Sequence, residues 1–221
     1  MELSPQAIAH GLTSYVVLLF SLSFHESAHA WAALRMGDDT ASREGRISLN
    51  PLVHIDPVGT VLLPLIMFVS SGSPIFGWAK PTPYNPANFR RDRSMATGHV
   101  MVAGAGPISN LVLSVLFAVA FFFVWNVAAI HAPTHPAVQI AFAGVQINVL
   151  LAVFNLVPLP PLDGSKVAAW GLPRSLADAY VRVIEPYGGW ILLILFATGI
   201  LNVLVGPLTF FLTQLLLAVS R

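Results

Sequence analysis

The chain has 221 residues, of which 56% are hydrophobic and only 10% charged, with a formal net charge of +1 and no cysteine. A soluble domain carries about 25% charged residues, so this composition points to a polytopic membrane protein and away from a basic nucleic-acid binder. Without cysteine, a disulfide framework, an iron–sulfur cluster or a thiolate zinc site is excluded, and any metal has to be held by His, Asp or Glu.

The first element is an apolar stretch over 7–34 that holds Phe24-His25-Glu26-Ser27-Ala28-His29. At ~1.5 Å per residue it makes a helix of roughly 40 Å, enough to cross a bilayer. It lacks a basic leading region and a small-residue cleavage site, so it is expected to be retained rather than removed as a signal peptide. Ionisable residues at such depth are costly and mark a function. On a helix His25 and His29 project from one face, one turn apart, and Glu26 sits about 100° round from His25. This is the HExxH pattern of zinc hydrolases, in which two imidazoles hold the ion and the carboxylate takes a proton from the activated water. The alternative is a polar cluster hydrogen-bonded between helices.

Past the charges at Arg35, Asp38 and Asp39, the stretch 40–49 has short β-like character, and Asn50-Pro51 and Asp56-Pro57 signal turns. The apolar run 58–69 is short for a crossing and is broken by Pro64, so a re-entrant segment fits it better than the alternative, a true crossing. The loop 70–93 is rich in proline, and Pro81, Pro83 and Pro86 make its middle extended chain. A long span is expected over 94–130, containing Ala103-Gly104-Ala105-Gly106-Pro107-Ile108-Ser109-Asn110, where small residues admit a close neighbour and Asn110 needs a partner. After the uncharged linker 131–136, another span covers 137–157. A more polar segment follows over 164–187, and 188–220 is apolar again, with a break at Gly206-Pro207 that leaves one kinked span or two short ones open. The fold class is an all-α polytopic membrane protein, a bundle of about four to six spans with a re-entrant or extended segment near the site.

Positive charge orients the bundle. Lys and Arg fall at 35, 43, 46, 80, 90, 91 and 93, then at 166, 174 and 182, and at 221, with none in the linker. This predicts an outside N-terminus, with both basic stretches in the cytoplasm and 58–69 dipping in and returning. Spans one and 137–157 then run the same way, so His29 lies roughly 8 Å from the inner face and Asp163 reaches the same level. Asp163 supplies an oxygen ligand that leaves the fourth tetrahedral position to water; alone, it would read as a helix cap. Prolines 158, 160 and 161 forbid regular helix there, and freed backbone at membrane depth is tolerated where it lines a cavity. Asn155 either hydrogen-bonds between helices or orients substrate. His54 reads as a turn histidine, or as an additional contact near the site.

His25-Glu26-Ser27-Ala28-His29 in a first span, together with Asn155-x-x-Pro158-x-Pro160-x-Leu162-Asp163-Gly164, resembles the site-2 protease family of intramembrane zinc metalloproteases. Ala105-Gly106-Pro107 with Asn110, and Gly77-Trp78-Ala79-Lys80-Pro81, resemble that family's middle helix and its loop beside the active site. The resemblance covers about 10–170 and is to the compact subgroup that carries neither a PDZ nor a CBS domain. It implies cleavage of substrate transmembrane helices, one Zn²⁺ held by His25, His29 and Asp163, Glu26 as general base, and Asn155 in binding the substrate backbone.

The expected molecule is therefore a single transmembrane metalloprotease domain over 1–221, with a core of about 7–170 and C-terminal spans over 188–220. It is a multi-pass protein of a prokaryotic inner membrane, whose partners are the lipid bilayer and a membrane-spanning protein substrate, with no nucleic acid. The rival readings are a metal transporter or sensor using the same His/His/Asp set, and an inactive scaffold that binds helices.

Overall fold

A computed structural model describes residues 4–71, 77–92 and 94–219, and within those residues every regular element is helical. Helix α1 (Pro5–Met36) starts where Ser4 accepts the Ala7 N–H and Pro5 pre-sets the first turn. It stops at Gly37, whose φ of 108° is a conformation few other residues tolerate, and the N–H groups of Gly37 and Asp38 return to Leu34 and Ala33. The β-like reading of 40–49 is corrected here. Thr40–Arg43 forms a single helical turn (α2), because the Asp38 carboxylate takes both the N–H and the hydroxyl of Thr40 and closes the chain locally.

Asp56 caps a π-helical turn over Pro57–Leu62 that runs into α3 (Leu63–Ser71). The apolar stretch Pro57–Val69 is too short to cross a bilayer. The continuation at 72–76, Arg93 and 220–221 lie outside the described residues. From 77 to 85 the chain is extended, as its prolines dictate. Helix α4 (Met95–Phe122), capped by Ser94, passes through Pro107 and ends in a π-helical turn, Phe123–Val127. Helix α5 (Pro136–Asn155) is followed by the proline-broken turns 156–162 and then by α6 (Asp163–Gly171).

The C-terminal third forms α7 (Arg174–Ile184), α8 (Gly188–Ala197) and α9 (Ile200–Val219). The break in 188–220 falls at Thr198-Gly199, where Gly199 has φ 75°, and not at Gly206-Pro207: Pro207 lies inside a continuous α9. Among the described residues, five helical stretches are long and apolar enough to cross a membrane: Pro5–Met36, Met95–Val127, Pro136–Asn155, Arg174–Ala197 and Ile200–Ala218.

Helices α1, α4 and α5 pack on one another, and α9 leans on α5. α5 is the central post: most of its apolar stretch is buried, whereas that of Arg174–Ala197 is almost wholly exposed. Val17, Leu18 and Leu22 of α1 meet Ile147 and Leu151 of α5, while Val145, Val149 and Val153 share a second cluster with Phe121 of α4 and Leu201 and Val205 of α9. The outer face of α4 exposes Ile108, Val112, Val115, Leu116 and Val119, as suits a helix solvated by lipid.

Candidate metal centre

The candidate metal centre is built where Gly106 of α4 abuts His25 and His29 of α1. The helical spacing of His25 and His29 stacks their rings one turn apart, with centroids 4.6 Å from each other. Three residues of α4 at a four-residue spacing face them. The His25 Nδ1–H donates to Asn110 Oδ1 at 2.6 Å, and the His29 Nδ1–H donates to the Val102 carbonyl at 2.7 Å. Both acceptors lack a proton on that atom, which places the ring proton on Nδ1 and leaves each Nε2 with a lone pair. Between them, Gly106 presents only hydrogen: a methyl group there would lie 2.4 Å and 2.5 Å from the two Nε2 atoms.

Asp163 completes the set. As the first residue of α6 it caps nothing, because the N-cap position is Leu162. Its carboxylate instead comes within 3.3 Å of His25 Nε2 and 3.1 Å of His29 Nε2, and the two Nε2 atoms are 3.0 Å apart. Three lone-pair donors at these spacings repel one another unless a cation sits among them. Tetrahedral zinc with bonds of ~2.0–2.1 Å sets its ligand atoms about 3.3–3.4 Å apart, so the donor set and its spacing fit that ion. All three residues are buried, and they are the three-donor group found among the described residues.

Glu26 stands half-buried beside this triad. Its Oε2 accepts the Thr82 N–H at 2.8 Å and its main-chain carbonyl accepts the Thr82 hydroxyl at 3.0 Å, so Thr82 of the extended 77–85 chain ties down Glu26 by both side chain and backbone. The sequence offered no sign of Thr82, since a backbone N–H leaves no mark on residue type. Behind Asn110 lies a second amide: Asn110 Nδ2 donates to Asn148 Oδ1 at 2.8 Å, and Asn148 Nδ2 donates to Ser21 Oγ at 2.9 Å and to the Gly144 carbonyl at 2.8 Å. Asn148 was also missed, although a wholly buried amide in the middle of a span calls for a partner.

A cavity of about 680 Å³ opens on the triad. Leu22, Trp78, Phe154, Leu192 and Phe196 form much of its apolar wall. Asn155 lines it too, with its Nδ2 bonded to the Leu151 carbonyl at 2.9 Å. His54 is not drawn into the group. It is 2% exposed, its Nε2 donates to the Ser48 carbonyl at 2.8 Å, and burial, ahead of the nearby Arg46 charge, lowers its pKa.

The Bacillus subtilis protein named "Putative zinc metalloprotease YwhC" is 35% identical to this chain over 195 residues, covering 87% of the chain and 84% of the relative. The chain belongs to the site-2 protease family of zinc metalloproteases. Another such relative, Rip2 of Mycolicibacterium smegmatis, is 32% identical over 189 residues, covering 83% of the chain and 66% of its own length. MJ0611 of Methanocaldococcus jannaschii is 36% identical over 69 residues, about a third of each chain. No family model and no solved structure matches the chain. Zinc is the metal that both these relatives and the geometry of His25, His29 and Asp163 support.

Proposed function

We propose that this chain is a multi-pass zinc endopeptidase of the membrane that cuts the transmembrane helices of other proteins. The observation that carries this reading is the convergence of His25, His29 and Asp163, with Glu26 beside them, on a largely apolar cavity among membrane-length helices. Zinc, when bound by these three side chains, supplies a Lewis acid that acidifies water and polarises a carbonyl. Glu26 is the general base. With Oε2 occupied by the Thr82 N–H, its Oε1 takes the proton from the attacking water and passes it to the leaving amine nitrogen.

A helix hides its carbonyls in i→i−4 bonds, so the cut segment has to unwind first. The 77–85 chain supports an extended substrate. Trp78 and Lys80 turn their N–H groups to the Gly59 and His54 carbonyls, and their own carbonyls accept from Thr60 and Arg46. The intervening Ala79 points its N–H and C=O the other way, where neither has a partner among the described residues, and Gly77, Ala79 and Pro81 line the cavity. An incoming strand satisfies that edge by main-chain pairing, as in other peptide-binding sheets. Asn155, which lines the same cavity, orients the same backbone. The chain acts as one transmembrane domain, with its N-terminus outside and the site toward the cytoplasmic face.

The test is Glu26→Gln. Zinc-loaded wild type should cut a panel of single-span proteins in vesicles, and the variant should lose at least about a hundredfold in rate while keeping its zinc. Cleavage by the variant at the wild-type rate would overturn the assignment; metal movement across the membrane that survives the substitution would point to a transporter instead.

A further inference from the structure

Lys166 follows Asp163 by three residues on α6, so both side chains leave one face of that helix. It lines the cavity half-buried, with its ammonium 5.6 Å from the centre of the Tyr84 ring. Tyr84 is itself held in place, stacked on Phe89 at 6.1 Å with its hydroxyl 3.1 Å from His99 Nδ1. Among the described residues no carboxylate comes within ion-pair distance of Lys166: Asp163 faces the two histidine Nε2 atoms instead, and Arg43 pairs with Asp39. An aromatic face replaces only part of the hydration that a half-buried ammonium gives up. With zinc in place, Glu26 and Asp163 balance the ion, and the charge of Lys166 is left over.

The position of that charge along the cavity is defined by α1. Gly77 lies against Leu18, Thr82 bonds Glu26, Asn85 bonds Asp38, and the Arg90 N–H reaches the Met36 carbonyl. The extended chain therefore runs alongside α1 in the same direction. Lys166, at Tyr84, lies past Glu26 toward the Met36 end. We propose that Lys166 is a specificity-determining residue: it receives an Asp or Glu side chain of the protein being cut, on the Met36 side of the scissile bond. This rests on the proteolytic reading of the site, so its test includes a measurement that needs no cleavage.

The probes are single-span peptides that differ only in carrying Glu, Gln or Lys about two to four residues beyond the cut bond, the distance from Thr82 to Tyr84 and slightly past it. They are presented to the full chain, with zinc, in vesicles of phosphatidylcholine alone, so that no anionic lipid supplies the charge. Wild type should favour Glu over Lys by about tenfold in kcat/KM, as a partly desolvated charge pair supplies. Lys166→Gln should bring the ratio near one and Lys166→Glu should invert it. The ratio is internal to each chain, so a lower yield of folded variant does not enter it. Binding of the same peptides to Glu26→Gln chains bearing each residue at 166 should follow the same order. Peptides that bind in this order but are never cut would refute the protease and leave Lys166 as the selector. A Glu-to-Lys ratio in rate and binding that is equal for all three chains overturns the proposal.

Discussion

At Gly106 the backbone of α4 lies so close to His25 and His29 that hydrogen is the only side chain with room. A methyl group there occupies the space where the two Nε2 lone pairs meet, while the helix itself gains from the better helix former. Gly106→Ala should therefore lower zinc affinity by at least about a hundredfold, near the upper end of what outer contacts do to metal sites, without loss of helical circular dichroism. Competition with a chelator reads the affinity, and zinc held as tightly as by wild type would show that no ion sits between the histidines. At this scale much of the site was legible in the sequence. His25, Glu26 and His29 follow from a local spacing, and Asp163 from its expected arrival at the same membrane level as that motif, since alone it reads as a helix cap. Asn148 and Thr82 were not, because each acts through a contact that only the packing of distant segments creates.

Among the elements, the 77–85 chain owes its place to side chains outside it. The buried guanidinium of Arg46 donates to the carbonyls of Val53, Lys80 and Pro81, and Asp38 gathers the Asn85 N–H, the Asn88 amide and both donors of Thr40. Burial alone would raise the Asp38 pKa, but the hydrogen bonds from Thr40, Asn88 and Asn85 outweigh it and hold the carboxyl below its ordinary value. A carboxylate with a depressed native pKa contributes stability that is full above its unfolded value of about 3.9 and is lost as pH falls through the native one. Thermal unfolding in detergent between pH 6 and 3 should show wild type losing stability on acidification, and Asp38→Asn should start lower and depend less on pH. An identical acid slope in the two chains would remove Asp38 from the account. The same residue explains why 40–49 misled as a strand: composition there suits extended chain, but the Asp38 carboxylate just upstream takes both donors of Thr40 and holds a helical turn instead. The extended character of 77–85 was plain from its prolines, whereas its anchor, Arg46, read only as one more cytoplasmic charge.

For the whole molecule, the depth shared by His29 and Asp163 requires α1 and α5 to cross the bilayer in the same direction. α5 has 20 residues and is about 30 Å long, the thickness of the hydrocarbon core, so its ends belong on opposite sides. The linker before it, 131–136, carries no Lys or Arg, whereas Lys166, Arg174 and Arg182 follow it, so the charge distribution predicts an inside Asp163 end. Since the chain has no cysteine, a single introduced one reports only on its own position. His131 and Ser175 are both exposed and serve as the two markers. In intact cells a membrane-impermeant maleimide should label His131→Cys, and it should label Ser175→Cys only after permeabilisation. The reverse pattern would invert the orientation and put the site at the outer face. Labelling of both from one side would mean that α5 does not cross, and then nothing would carry Asp163 to the depth at which α1 holds His25 and His29.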